Sequence, residues 1–183
     1  MIVDPAGKYT YFQYDAANRL TGALRKVGDE SENPDQDDAW TRYELDPVGN
    51  VLEYYGPAGE HVSFQYDAAN RRTSARAHPN PDPADYFEYT YTYDGAGNLK
   101  TLTQPDGNVR EMTYDFANRV EQIADSLGMV AAFTYDENGN VATRSTGLAG
   151  QTWTFDYDNL DRVTAIKDPI VETPDQYTTV QYI

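Results

Sequence analysis

The side chains that could do chemistry in this 183-residue sequence are mostly carboxylates: thirty Asp and Glu against fourteen Lys and Arg, two His and no Cys. Paired carboxylates can serve as general acid and base, so the spacing of the aspartates is the first question. They recur in one frame: Tyr14-Asp15-Ala-Ala-Asn18-Arg19, Tyr66-Asp67-Ala-Ala-Asn70-Arg71, Tyr93-Asp94-Gly-Ala-Gly97-Asn98, Tyr114-Asp115-Phe-Ala-Asn118-Arg119, Tyr135-Asp136-Glu-Asn-Gly139-Asn140 and Tyr157-Asp158-Asn-Leu-Asp161-Arg162. A variant copy reads Leu45-Asp46-Pro-Val-Gly49-Asn50, and an eighth begins at Tyr182. An Asp in this frame has a sufficient structural task. Its carboxylate accepts backbone N–H groups of a type I turn, and the Asn, Asp or Gly three residues on supplies a positive φ. Catalysis is not assigned to it.

The remaining candidates fail on spacing. His61 lies on the strand before Tyr66 and His78 opens a Pro-rich loop; neither has a Ser, Cys or metal-ligand partner at a recognisable separation. Gly-x-Ser-x-Gly and phosphate-binding glycine loops are absent from the sequence. Asp136-Glu-Asn138-Gly-Asn140 imitates the start of a calcium loop, but glycine falls at loop position four instead of six, and position twelve is Gly147 instead of Glu. The acidic stretch 29–38 reads as a solvated loop with at most weak cation affinity. No catalytic, cofactor-binding or metal-binding residue is therefore assigned, no cofactor is expected, and the chain reads as a non-enzyme.

Composition constrains partners and architecture. A formal net charge of -16 and a pI near 4.2 repel phosphate backbones and anionic headgroups, which argues against nucleic acid and membrane surfaces. No apolar run reaches the length of a membrane span, and no charged-then-apolar leader opens the sequence. Sixteen Tyr, with Gly and Pro spread throughout, favour pleated strands joined by turns, so the expected class is all-β.

The elements that place these residues follow from the repeat. A second turn is marked by Gly7, Gly59, Gly107, Gly128 and Gly150, each seven residues before the next motif tyrosine. The basic period is 21 to 22 residues, and the stretches near 29–38, 78–85 and 168–175 expand the second turn into longer loops. Eleven of the net sixteen negative charges sit in those three stretches. The fifth motif position alternates between Asn/Asp and Gly and the sixth between Arg and Asn, so the larger unit is a pair of repeats. Strands alternate before each anchor, with Phe12/Tyr14, Tyr43/Leu45, Phe64/Tyr66, Tyr91/Tyr93, Met112/Tyr114, Phe133/Tyr135 and Phe155/Tyr157 on an apolar face and a largely polar face opposite. After the turn the apolar spacing becomes three, as in Leu99/Leu102, Val120/Ile123 and Val163/Ile166, which calls for a bulge whose position the sequence leaves open. Arg19, Arg71, Arg119 and Arg162 are expected to pair with motif aspartates of neighbouring strands. Eight strands ending at anchors and seven following them make a repetitive antiparallel meander of about fifteen, too long for an open twisted sheet to stay flat, and so expected to curl over its aromatic face.

These residues resemble the Rhs/YD-repeat family, with the likeness running from Asp4-Pro-Ala-Gly7 to Tyr182 over a single array, residues 1–183. That family includes bacterial polymorphic toxins, insecticidal toxin-complex B/C proteins, wall-associated proteins and animal teneurins. The resemblance implies a long sheet spiralled into a hollow shell, which in the toxin members encloses a toxic C-terminal polypeptide. It implies as partners the remaining repeats and core of a parent shell and an encapsulated effector, and a secreted or cell-surface location. The Asp-Pro-x-Gly-Arg core segment that performs self-cleavage in family toxins is not visible; the Asp-Pro pairs at Asp4, Asp46 and Asp168 sit in repeat turns. The alternative reading is a carbohydrate-binding or adhesion module, in which exposed aromatics such as Tyr11 or Tyr55 stack on glycans.

Overall fold

A computed structural model describes residues 1–5, 8–26, 39–80, 82, 84–147 and 151–167. The expansions at 29–38 and 168–175, the glycines Gly7 and Gly150, Asp168 and the Tyr182 anchor lie outside the described residues. Among those described there are strands and turns and no helix: β1 Ile2–Val3, β2 Tyr9–Tyr14, β3 Leu20–Arg25, β4 Ala39–Leu45, β5 Val51–Tyr55, β6 His61–Tyr66, β7 Arg72–His78, β8 Phe87–Tyr93, β9 Leu99–Thr103, β10 Val109–Tyr114, β11 Val120–Asp125, β12 Gly128–Tyr135, β13 Val141–Thr146, β14 Thr152–Tyr157 and β15 Val163–Lys167. Order in the sheet follows order in the chain from β1 to β15, and every described pairing is antiparallel. The expected all-β meander is therefore the fold. Its fifteenth strand is the short β1, whereas the sequence count had used the strand ending at Tyr182. His78 closes β7 and does not open the loop.

The chain divides into two compact units, Met1–Tyr91 and Thr92–Ile183. Among the described residues, each is a single layer of sheet. Among the described residues, Leu24 is the buried apolar side chain of the first unit and Ala131 that of the second; most other apolar side chains are half-covered by their strand neighbours. With no second layer, stability within each unit has to come from lateral contacts between adjacent strands and turns.

The bulge can now be placed. In every described hairpin closed by a motif turn with both strands paired, the register slips by one at the anchor: Gln13 faces Gly22 while Tyr14 faces Leu20, and Thr113 faces Gln122 while Tyr114 faces Val120. The unpaired extra residue is the second of the following strand, as with Thr21, Leu52, Thr73, Glu121, Ala142 and Thr164. This resolves the spacing of three. Val120 lies opposite Tyr114 and Ile123 opposite Met112, so one inserted residue returns both to the apolar face.

Candidate functional site

The motif turns line one rim of the sheet and share a single geometry. In the first, the N–H of Asp15 donates to the carbonyl of Arg19 at 2.9 Å and that of Asn18 to the carbonyl of Asp15 at 3.0 Å. This is a three-residue hairpin loop with a left-handed final residue. Asn18, Asn70, Asn118 and Asp161 have φ of 58 to 60°. At the alternate turns Gly49, Gly97 and Gly139 take 95 to 104°, a region where a β-carbon is strained. The expected positive φ at the fifth position is met at all seven described turns. The opposite rim uses the same closure at Gly56–Glu60 and Gln104–Asn108, with Gly59 and Gly107 left-handed.

Each motif Asp binds its own turn. Oδ1 of Asp115 accepts the N–H of Ala117 and of Arg119, and Oδ2 accepts Nε of Arg119 at 2.7 Å. Asp15, Asp67 and Asp158 repeat this pattern. The arginines therefore pair within their own motif, four residues apart, and not with aspartates of neighbouring strands as the spacing had suggested. The planar guanidinium fork reaches its own Asp because the tight loop folds the sixth residue back over the second. The guanidinium of Arg119 and of Arg162, then their backbone N–H groups, hold the carboxyls of Asp115 and Asp158 below the ordinary value of 3.8; at Asp15 and Asp67 the backbone N–H of the arginine leads. At Asp46 and Asp136 desolvation is the largest influence and pushes upward, yet the combined hydrogen bonds from Asn50, Asn140 and the turn N–H groups outweigh it. At Asp94 the Asn98 amide leads in lowering it. An anion held in its ionised form by three or four donors is a poor general acid and already fully engaged as a base.

The motif tyrosine links turn to turn. The hydroxyl of Tyr66 donates to the carbonyl of Val51 at 3.0 Å, that of Tyr114 to Leu99 at 2.7 Å, that of Tyr135 to Val120 at 2.8 Å and that of Tyr157 to Val141 at 3.0 Å. Each bond spans to the strand start of the preceding hairpin. Burial, and then the nearby carboxylates of Asp94 and Asp136, raise Tyr114 and Tyr157 above the ordinary value of 10.0. Period and pattern had placed these rings on the apolar face; the hydroxyl bond was not visible because its acceptor is a backbone carbonyl 15 or 16 residues away.

On the polar face of the first unit, register sets Arg42, Tyr55, His61 and His78 side by side on β4 to β7. The Arg42 guanidinium lies 4.3 Å from the Tyr55 ring, Tyr55 stacks on His61 at 4.5 Å, and His61 on His78 at 4.3 Å. His61 Nε2 is hydrogen-bonded to Glu53 at 2.7 Å, and His78 Nε2 to Ser63 Oγ at 3.0 Å. Two parallel imidazoles cannot aim in-plane lone pairs at one ion, and no cluster of three or more His, Asp or Glu among the described residues is placed to hold a metal. Both ring faces of Tyr55 are occupied, by Arg42 and His61, which leaves no free face for a sugar. The polar face of the second unit carries hydroxyl pairs, including Thr92–Thr101 at 2.6 Å and Thr134–Thr143 at 2.7 Å. No described helix is long and apolar enough to cross a membrane.

Comparison with known proteins adds to this geometry. The sequence profile described as RHS Repeat matches residues 46–80, 93–128 and 135–169, more than half of the chain. The chain is 30% identical over 141 residues to Double-stranded DNA deaminase toxin A of Burkholderia cenocepacia (strain H111), covering 77% of this chain and 8% of that protein. It is 31% identical over 143 residues to Probable deoxyribonuclease RhsB of Dickeya dadantii (strain 3937), covering 67% and 10%. The chain thus spans about a tenth of the length of these curated relatives. Among solved structures, TcdB2-TccC3-Cdc42 matches with a TM-score of 0.71 at 15% identity, over 87% of this chain and 9% of that one. A Photorhabdus luminescens Tc holotoxin pore matches with 0.71 at 15%, over 88% and 9%. At such identity the likeness is one of fold.

Proposed function

The chain belongs to the RHS repeat family, and from that membership we propose that it is a non-enzymatic structural segment of a β-sheet shell that encloses or displays a toxin or effector polypeptide. The observation that carries this reading is the turn-to-turn linkage. Every described hairpin is tied to its neighbour by strand pairing and, from Tyr66 onward, by tyrosine hydroxyl bonds at four of the anchors, so hairpins add laterally without a second layer. A sheet stabilised that way is suited to be a wall, with its two faces free to border a lumen and solvent. The toxin name of one relative, the deoxyribonuclease name of another, and the fold shared with a Tc holotoxin pore support the same reading. The motif carboxylates are engaged in their turns and the two histidines in a stack, which supports a non-catalytic role for this segment. The partners would be further repeats of the same wall and the enclosed effector, in a bacterial protein that is exported or held at the surface.

The test is limited proteolysis of an effector-bearing RHS protein carrying this segment, compared with the same protein lacking residues 93–135. A protected effector in the first and rapid digestion in the second is expected. Equal digestion of the effector in both would refute the enclosing role. Specific glycan-array binding by the chain, lost on Tyr11→Ala, would instead establish the adhesion reading.

A further inference from the structure

Turn closure does not by itself demand the strict alternation of the fifth and sixth motif positions: both kinds of turn close with the same backbone bonds, at φ of 58 to 60° with Asn or Asp and 95 to 104° with Gly. Its role appears between turns. At the first Arg-ending turn the guanidinium reaches forward over the next turn: Nη1 of Arg19 donates to the carbonyls of Asp46 at 2.8 Å and Pro47 at 3.2 Å. It passes beside Gly49, where a β-carbon would sit 3.7 Å from Nη1; Arg119 stands in the same relation to Gly139, also 3.7 Å. The β-carbon alone would be in ordinary contact, but the rest of any side chain there would contend for the guanidinium's place. Where a turn ends in Asn, the joint is different. The amide of Asn98 donates to its own Asp94 at 3.0 Å and forward to Oδ1 of Asn118 at 2.9 Å. Asn50 does the same to Asn70 at 2.9 Å, and Asn140 to Asp161 at 2.8 Å. That joint requires a side-chain oxygen at the fifth position of the following turn, which glycine lacks.

We propose that the motif rim is a coded docking surface: an Arg-ending hairpin takes a Gly-Asn hairpin as its C-terminal neighbour, and a Gly-Asn hairpin takes one with left-handed Asn or Asp. The partner this surface fits is thus a second hairpin of the opposite kind. Out of phase, Arg would face an amide where it needs open space, and Asn would face glycine with one N–H left without its acceptor. Repeats of this chain therefore interlock in pairs, 42 to 43 residues long where no loop is expanded, and a single 21-residue repeat is not an interchangeable unit. The rule concerns joints within each unit and does not depend on the shell reading.

The test is a double-mutant cycle in the full chain, read by urea unfolding. Arg119→Asn and Gly139→Asn each break one joint and should lower the folding equilibrium constant about fivefold. Together they convert the joint to the Asn-to-Asn kind: the amide introduced at 119 can bridge Asp115 and the oxygen introduced at 139, as Asn98 bridges Asp94 and Asn118. With position 139 moving from the φ of 95° of Gly139 to the 59° of Asn118, the double variant should return to within about twofold of the parent. The converse cycle, Asn98→Arg with Asn118→Gly, should rescue in the same way and gives the reading if a variant of the first cycle does not fold. Additive losses, about twenty-five-fold in the double variant, would overturn the proposal.

Discussion

Replacing Tyr114 by Phe removes one oxygen and keeps the ring, so it isolates the bond that ties β10 to the start of β9. That bond is short, 2.7 Å from the hydroxyl to the Leu99 carbonyl, and part-buried. A net intramolecular hydrogen bond contributes about 0.5–1.5 kcal/mol, and the abandoned carbonyl sits at a strand start where solvent can partly replace the donor, so we expect a loss of about 1 kcal/mol. For a chain of this length that corresponds to a fall of about 2–4 °C in midpoint temperature. Tyr14→Phe is the internal control: Tyr14 is 56% exposed, and its loss should stay within about 0.5 kcal/mol. Replacing Tyr114, Tyr135 and Tyr157 together should sum to about 3 kcal/mol, a large share of the roughly 5–15 kcal/mol available to a folded domain. Urea titration followed by far-ultraviolet circular dichroism reads all of these. Equal effects at Tyr114 and Tyr14, or a triple variant as stable as the parent, would refute the idea that the hydroxyls hold hairpin to hairpin.

Three further outcomes follow from the same geometry. Because Tyr114 and Tyr157 are raised in the folded state, they contribute stability below pH 10 that is lost as pH rises through their folded values; Tyr-to-Phe variants at both sites should flatten this alkaline limb of a stability–pH profile. The motif aspartates are lowered, so their contribution is present above about pH 3.8 and disappears as pH falls through the folded values below it; Asp115→Asn should reduce the slope of acid unfolding there. Gly147→Ala would drive a β-carbon into the Met129 carbonyl, a backbone atom that cannot swing aside, and should destabilise β12–β13 by about 2 kcal/mol or more, measurable as a lowered urea midpoint.

Much of this protein could be read along one dimension because its information is local and repeated. Turn residues impose φ within four positions, and alternation imposes a face within two, so Asp115, Asn118 and Met112 carry their structural meaning in their own neighbourhood. The all-β class, the strand anchors, the left-handed fifth position and the need for a bulge were all of this kind. The arginine pairing failed by a short distance: Asp115 and Arg119 are four residues apart, but only the loop's curvature brings them together.

Other features required strands to be laid side by side. The bulge at Glu121 is defined by what it does not face, the tyrosine bond by a backbone carbonyl of another hairpin, and the Arg42–Tyr55–His61–His78 row by register across four strands. The alternation of Arg with Asn and of Asn with Gly is the clearest case. That the repeats come in pairs is legible in the order of residues alone; the reason emerges with the folded sheet, because a side chain's fifth-position neighbour lies one hairpin away, and the forward reach of Arg19 over Gly49 or of Asn98 to Asn118 exists only once adjacent turns stand on the same rim.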